Sequence, residues 1–244
     1  MNAPILDIQQ ISQQTDWSSD ALLTDISFTV AKGDRIAIIG ASGSGKTTLL
    51  RLLNRLTDPT SGQILLDGQP LNTLPIPQLR RQVGLVLQEP KLLGMRVWEA
   101  MTYPLVLQKR PKAEIDARVD LIRQQLHIPD EWLDRNELQL SVGQRQLVAI
   151  ARTLILHPKV LLLDEPTSAL DIGTATFLIE QLNHLSQDQG ITILMVNHQL
   201  EIVRQFSQRV LYLQQGQLHK DLPTTQVNWT ALREELTQHN PDDW

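Results

Sequence analysis

A chain of 244 residues is long enough to bury one large α/β core, or a core with a smaller subdomain. It has no cysteine, which excludes disulfides, iron–sulfur ligation and thiol catalysis, and its net charge of −5 argues against a surface built for nucleic acid. Apolar runs such as Val160–Leu163 and Ile191–Val196 fall far short of the roughly 20 residues a membrane-spanning helix needs. The start MNAPILDIQQ has no basic flank followed by an apolar stretch. These features predict a soluble, cytoplasmic chain that reaches a membrane only through another subunit.

In chain order, Ile26, Phe28 and Val30 alternate with polar residues and run into the turn Lys32-Gly33-Asp34, predicting a strand with one buried face. Arg35–Ile39 is almost continuously apolar, as expected of a parallel strand covered on both sides. Gly40-Ala41-Ser42-Gly43-Ser44-Gly45-Lys46-Thr47 follows it, and Leu49, Leu52, Leu53 and Leu56 mark an amphipathic helix. Ile64-Leu65-Leu66 meets Asp67-Gly68, a hairpin signal, so an antiparallel sheet should lie beside the main core. Val83–Leu87 is a second buried strand, ending at Gln88. The stretch LLGMRVWEAMTYPL presents Leu92, Leu93, Met95, Val97 and Trp98 without clean periodicity. Ser141, with Gln144 three residues on, forms a capping box before the helical pattern Leu147, Ile150, Ala151, Leu154. Val160–Leu163 ends in Asp164-Glu165 and Ile191–Val196 ends in Asn197-His198. From Asp221 to Trp244, Trp229, Leu232 and Leu236 stand at helical spacing, predicting a cap on the core.

Four apolar strands that each end in reactive residues imply a parallel sheet whose carboxyl edge holds the ligand. The loop Gly40–Thr47 matches G-x-x-x-x-G-K-[ST] between a strand and a helix, the setting this phosphate-binding loop requires. Its glycines let the backbone wrap phosphates at a helix N-terminus. Lys46 would reach the β- and γ-phosphates and Thr47 would coordinate Mg²⁺. Asp164 would hold the same ion through its water shell, and Glu165 would orient and deprotonate the attacking water. His198 would hydrogen-bond the γ-phosphate from its own strand end. Gln88 would ligate Mg²⁺ or position water.

With Leu140-Ser141-Val142-Gly143-Gln144, these residues resemble the ATP-binding subunit of an ATP-binding cassette (ABC) transporter, over Asp7 to about Gln217. The resemblance implies a P-loop NTPase fold: a RecA-like parallel sheet core, an N-terminal antiparallel β subdomain and an inserted helical signature subdomain. The cassette would span residues 1–217, with the helical part at about 89–158 and a short tail at 218–244. ATP would contact Gly40 to Lys46, including Ala41, Ser42, Gly43, Ser44 and Gly45, together with Thr47 and Thr48, and Trp17 would be the adenine platform. Gln88 becomes the Q-loop glutamine, Val160–Glu165 the Walker B strand, Ser168–Asp171 the D-loop and His198 the switch histidine. The resemblance also implies a head-to-tail homodimer in which Ser141, Gly143, Gln144 and Asp171 complete the ATP site of the other copy. The remaining partner would be an integral membrane permease, with Leu92–Trp98 forming either ordinary core or the lip of a groove for one of its helices.

Three positions depart from the family pattern. Val142 replaces a usual glycine, which an ordinary helical backbone tolerates. Leu147 stands where arginine is common, removing a surface contact, and Gln199 follows His198 where aspartate is usual. LSVGQ and HPKVLLLDEPTSALD are similar to the branch of putative iron-export and plant aluminium-tolerance ATPases, with phosphate-import ATPases second. Two other function classes remain to be weighed: a cassette ATPase acting on nucleic acid or ribosomes, and a P-loop kinase. The first would call for a coiled-coil interruption, a second cassette or a basic stretch, none of which this sequence shows; the second leaves LSVGQ unexplained.

Overall fold

The structure is a computed structural model that describes residues 3–14 and 21–239; Trp17 lies outside the described residues. Strands β1 (Leu6–Gln14) and β2 (Ala21–Val30) pair antiparallel, with Leu6 opposite Val30 and Ile8 opposite Phe28. The alternation in β2 sends Ile26, Phe28 and Val30 into the core, as the period of a strand requires. Next, β3 (Arg35–Ile39) leads through the glycine loop into helix α1 (Lys46–Leu53), which buries Leu49, Leu52 and Leu53. Leu56 does not extend that face: the helix stops at Asn54, Arg55 takes a φ of 52°, and Leu56 is exposed. Strands β4 (Ser61–Leu66) and β5 (Gln69–Pro70) form the expected hairpin, with Asp67 and Gly68 both at positive φ. The first sheet is thus antiparallel, in the order β2-β1-β4-β5.

Helix α2 (Ile76–Gln82) precedes β6 (Val83–Val86). The chain then leaves the sheet for α3 (Val97–Leu107), α4 (Lys112–Gln125) and α5 (Val142–Leu154). These helices share one core, in which Met101 and Leu105 join Val119, Ile122, Leu147 and Ile150. Each such fully buried aliphatic contributes about 1.5–3 kcal/mol. Leu147, expected to forgo a surface contact, is part of this interior, and an apolar side chain suits it there. Leu92, Leu93 and Met95 fall before α3 begins at Val97, so no single period runs through that stretch.

The chain returns as β7 (Val160–Asp164), α6 (Ile172–Gln189), β8 (Thr192–Val196) and α7 (Leu200–Phe206). It ends with β9 (Arg209–Gln214), β10 (Gln217–Pro223) and α8 (Trp229–His239). The second sheet has the order β10-β9-β3-β8-β7-β6. The four apolar strands read from the sequence lie side by side in parallel, and β9 adds a fifth that the sequence reading did not name. The segment beyond Gln217 is not simply a tail: β10 pairs with β9 as far as Pro223 opposite Arg209. After it, α8 packs Leu232 and Leu236 on Ile39 and Tyr212.

Candidate active site

Gly40–Thr47 connects β3 to α1, and Gly40, Gly43 and Gly45 all take positive φ. Gly40 also has a packing reason: a Cβ there would lie 2.2 Å from the Leu213 carbonyl oxygen and 2.6 Å from Ser44 Oγ. Strand β9 therefore presses on the base of the loop. The turn after β9 grips it as well, because the Gly216 N–H donates to the Ser44 carbonyl at 3.3 Å. Lys46 is buried at the start of α1, its ammonium donating to the carbonyls of Gly40 at 2.7 Å and Ala41 at 2.8 Å. Thr47 and Thr48 follow in the first turn of the helix.

Asp164 is the buried last residue of β7, and its Oδ2 accepts from Thr47 Oγ1 at 2.8 Å. Its Oδ1 is buried with no hydrogen-bond partner among the described residues. A hydroxyl, a carboxylate and an unsatisfied hard oxygen fit Mg²⁺, which takes few protein ligands and completes its octahedron with water and phosphate oxygens. Burial pushes the Asp164 carboxyl above its usual range, helped by the charge of Glu165 and opposed by the Thr47 hydrogen bond, Lys46 and Arg51. The ionised form therefore costs folding free energy at neutral pH, since the unfolded chain ionises more easily. Asp164→Asn should melt higher than wild type at pH 7 without nucleotide or Mg²⁺, while losing Mg²⁺-dependent turnover. The difference in Tm should shrink as pH falls through the raised folded-state pKa and vanish only well below about 3.9, the unfolded value, where the wild-type carboxyl is protonated in both states. Calorimetry across that range checks this, and a lower Tm for the variant at pH 7 would contradict it.

Glu165 follows directly, at a φ of 48°. A non-glycine residue in this region stores on the order of 1–3 kcal/mol, and such strain gathers at functional sites. Both carboxylate oxygens are engaged: Gln88 Nε2 donates to Oε2 at 2.8 Å and His198 Nε2 lies 2.6 Å from Oε1. Gln88 is thus placed against Glu165. The His198 loop is held by Asn197, which sequence reasoning passed over. Its buried side chain donates to Thr167 Oγ1 at 2.7 Å and accepts from the Gln199 N–H at 2.8 Å. Asn197 therefore ties the segment around His198 to the one that follows Glu165.

The capping box has both of its bonds: the Gln144 N–H donates to Ser141 Oγ at 3.1 Å and the Ser141 N–H to Gln144 Oε1 at 2.9 Å. Val142 is the first residue of α5 and 47% exposed. Gly143 is buried, and a Cβ there would lie 2.7 Å from the Ala169 carbonyl oxygen and 2.9 Å from Leu170 Cδ2. Its bareness is required within this chain. Asp171 caps α6, and bonds from the Thr174 hydroxyl and N–H hold its carboxyl below the usual carboxylate range.

Of the Leu92–Trp98 stretch, Met95 and Trp98 are half-buried against the helical core, whereas Leu93 stands exposed. The open groove lies beside them, a cavity of about 500 Å³ whose apolar walls include Leu56, Leu87, Leu93, Tyr103 and Leu107. Leu93 is 70% exposed and Leu107 65% exposed.

The fold and this site define a P-loop nucleoside-triphosphate hydrolase. The family profile described as "ABC transporter" matches residues 23–168. A methionine import ATP-binding protein from Photorhabdus laumondii is 39% identical over 249 aligned positions, covering 97% of this chain and 72% of that one. The ATP-binding cassette MJ0796, solved as a dimer bound to ADP and Pi, superposes with a TM-score of 0.81 at 26% identity, covering 90% of this chain and 98% of that one. CbiO1 from Clostridium perfringens, part of the cbiONQ transporter complex, gives 0.84 at 29% identity over 99% and 97% of the two chains. The chain belongs to the ABC transporter family, as an ATP-binding cassette, and is an ATPase that uses ATP with Mg²⁺.

Proposed function

We propose that this chain is the energy-coupling subunit of a transporter, driving a separate membrane permease through ATP-dependent head-to-tail pairing of two copies. The observation that carries this reading is the joining of Gln88, Glu165 and His198 at 2.8 and 2.6 Å, on the sheet edge that also holds Lys46 and Thr47–Asp164. Lys46 exchanges its carbonyl partners for phosphate oxygens, with the Gly40–Thr48 backbone around them. Mg²⁺, held by Thr47 and Asp164, would neutralise charge on the phosphates. When Gln88 or His198 turns towards nucleotide, a Glu165 oxygen is released to accept the proton of the attacking water. Ser141, Gly143, Gln144 and Asp171 face the nucleotide of the other copy, and the dimeric state of MJ0796 supports that arrangement.

No helix of the described residues is long and apolar enough to cross a membrane. In the proposed scheme a permease holds the cassette at the cytoplasmic face. The methionine importers among the relatives support import of a small solute; they give no support to the iron-export branch drawn from LSVGQ. None of the proposed site residues contacts cargo in this scheme, so its identity resides in the permease. The net charge of −5 and the methionine importers among the relatives leave the nucleic-acid alternative without support.

The groove lined by Leu93 and Leu107 is the proposed seat of a permease helix. Leu93→Glu with Leu107→Glu should spare the ATPase activity of the isolated protein and abolish co-purification with the permease from native membranes. Central apolar anchors of an interface carry about 2 kcal/mol or more. Retained assembly by a stable double variant would remove the groove from the proposal.

A further inference from the structure

The inner face of α5 carries a polar group that no step above uses. Gln146 is 2% exposed, and neither its Oε1 nor its Nε2 has a hydrogen-bond partner among the described residues. Buried amides left unpaired are rare in native proteins, and each one asks for an explanation. Gln146 stands one helical turn after Gly143, hence on the same face. That face is pressed against the loop that follows Glu165, because the Ala169 carbonyl lies 2.7 Å from where a Gly143 Cβ would be. The loop is fastened in turn to the glutamate: the Ser168 N–H and hydroxyl both donate to the Glu165 carbonyl, at 3.2 and 3.0 Å. A displacement of α5 is therefore transmitted through Ala169 and Ser168 to the strained peptide of Glu165.

We infer that Gln146 is a positioning residue for Glu165. When the start of α5 is drawn towards a nucleotide on the other copy, the Gln146 amide donates to the backbone of residues 167–171 and fixes Glu165 over this chain's own nucleotide. The amide has no partner among the described residues because that partner arrives only on closure. Occupancy of one site thereby prepares the other. The inference rests on Glu165 being the proton acceptor.

The test is Gln146→Leu, with Gln146→Met as a second variant closer in shape, both in the full chain. The nucleotide-free Tm should hold or rise, since an unsatisfied amide gives way to apolar atoms in an apolar surround. The kcat should fall about 3- to 10-fold, the worth of one hydrogen bond, at unchanged KM for ATP. On a Glu165→Gln background, Gln146→Leu should slow the residual turnover no further, because Gln146 acts through Glu165. A lower Tm in both variants would mean that the amide is already satisfied and structural. A wild-type kcat in both, with Glu165→Gln inactive, would overturn this inference alone; normal turnover by Glu165→Gln would overturn the proton-acceptor reading and this inference with it.

Discussion

Glu165→Gln should bind ATP as wild type does and hydrolyse it at least about 100-fold more slowly, the lower end of what a positioned general base contributes. The substitution keeps the side chain's length and its ability to accept from Gln88 Nε2, now 2.8 Å away, so the loop should keep its shape. What disappears is the second basic oxygen, the one that His198 Nε2 approaches at 2.6 Å. Binding without turnover should trap the closed state, and the variant should accumulate as an ATP-bound dimer on size exclusion. Wild-type turnover in this variant would remove Glu165 from the reaction.

The second large effect comes from two inactive proteins mixed together. Ser141→Arg sets a bulky cation where the capping serine stands, and Lys46→Ala removes the ammonium now held by the Gly40 and Ala41 carbonyls. Alone, each variant should fail: the first in pairing with nucleotide, the second in binding it. In a mixed dimer one composite site carries both lesions, and the other joins an intact Lys46 loop to an intact Ser141 cap. Mixing should restore ATP-dependent dimerisation and occlude nucleotide at that single site. Occlusion is the cleaner measurement, since turnover recovers only in part when the two sites depend on each other. Folded, demonstrably mixed protein without occluded nucleotide would show that Leu140–Gln144 does not serve a neighbour's site.

What the sequence disclosed follows from how tightly local chemistry was constrained. Arg35–Ile39 and Val160–Asp164 are buried on both faces, which forces near-continuous apolar runs, and the glycines of Gly40–Thr47 are fixed by positive φ. The capping box at Ser141 was legible because both of its bonds lie within four residues. Strand β9 was not, because a short apolar run such as RVLYL fits a buried helix turn as well as a strand. The groove was legible only in part, through Leu93: Met95, Trp98, Leu93 and Leu107 are all apolar, and only packing decides which of them face inward. Asn197 to Thr167 and Gly143 to Ala169 are contacts between distant parts of the chain, and no spacing announces them.

Neighbouring positions at the start of α5 answer to different demands. Val142 projects into solvent, and at the first turn of a right-handed helix a branched side chain meets nothing that must yield. Gly143 is confined by a backbone carbonyl that would lie 2.7 Å from a Cβ there, and that carbonyl has nowhere to retreat without dragging the chain that carries Glu165. Drift over evolutionary time therefore has freedom at one residue and almost none at the next. Under the proposed head-to-tail pairing, an engineer wishing to tune how strongly two copies hold each other should work at Ser141 or Val142. A change at Gly143 would alter the grip and the reaction together, with no means of separating them.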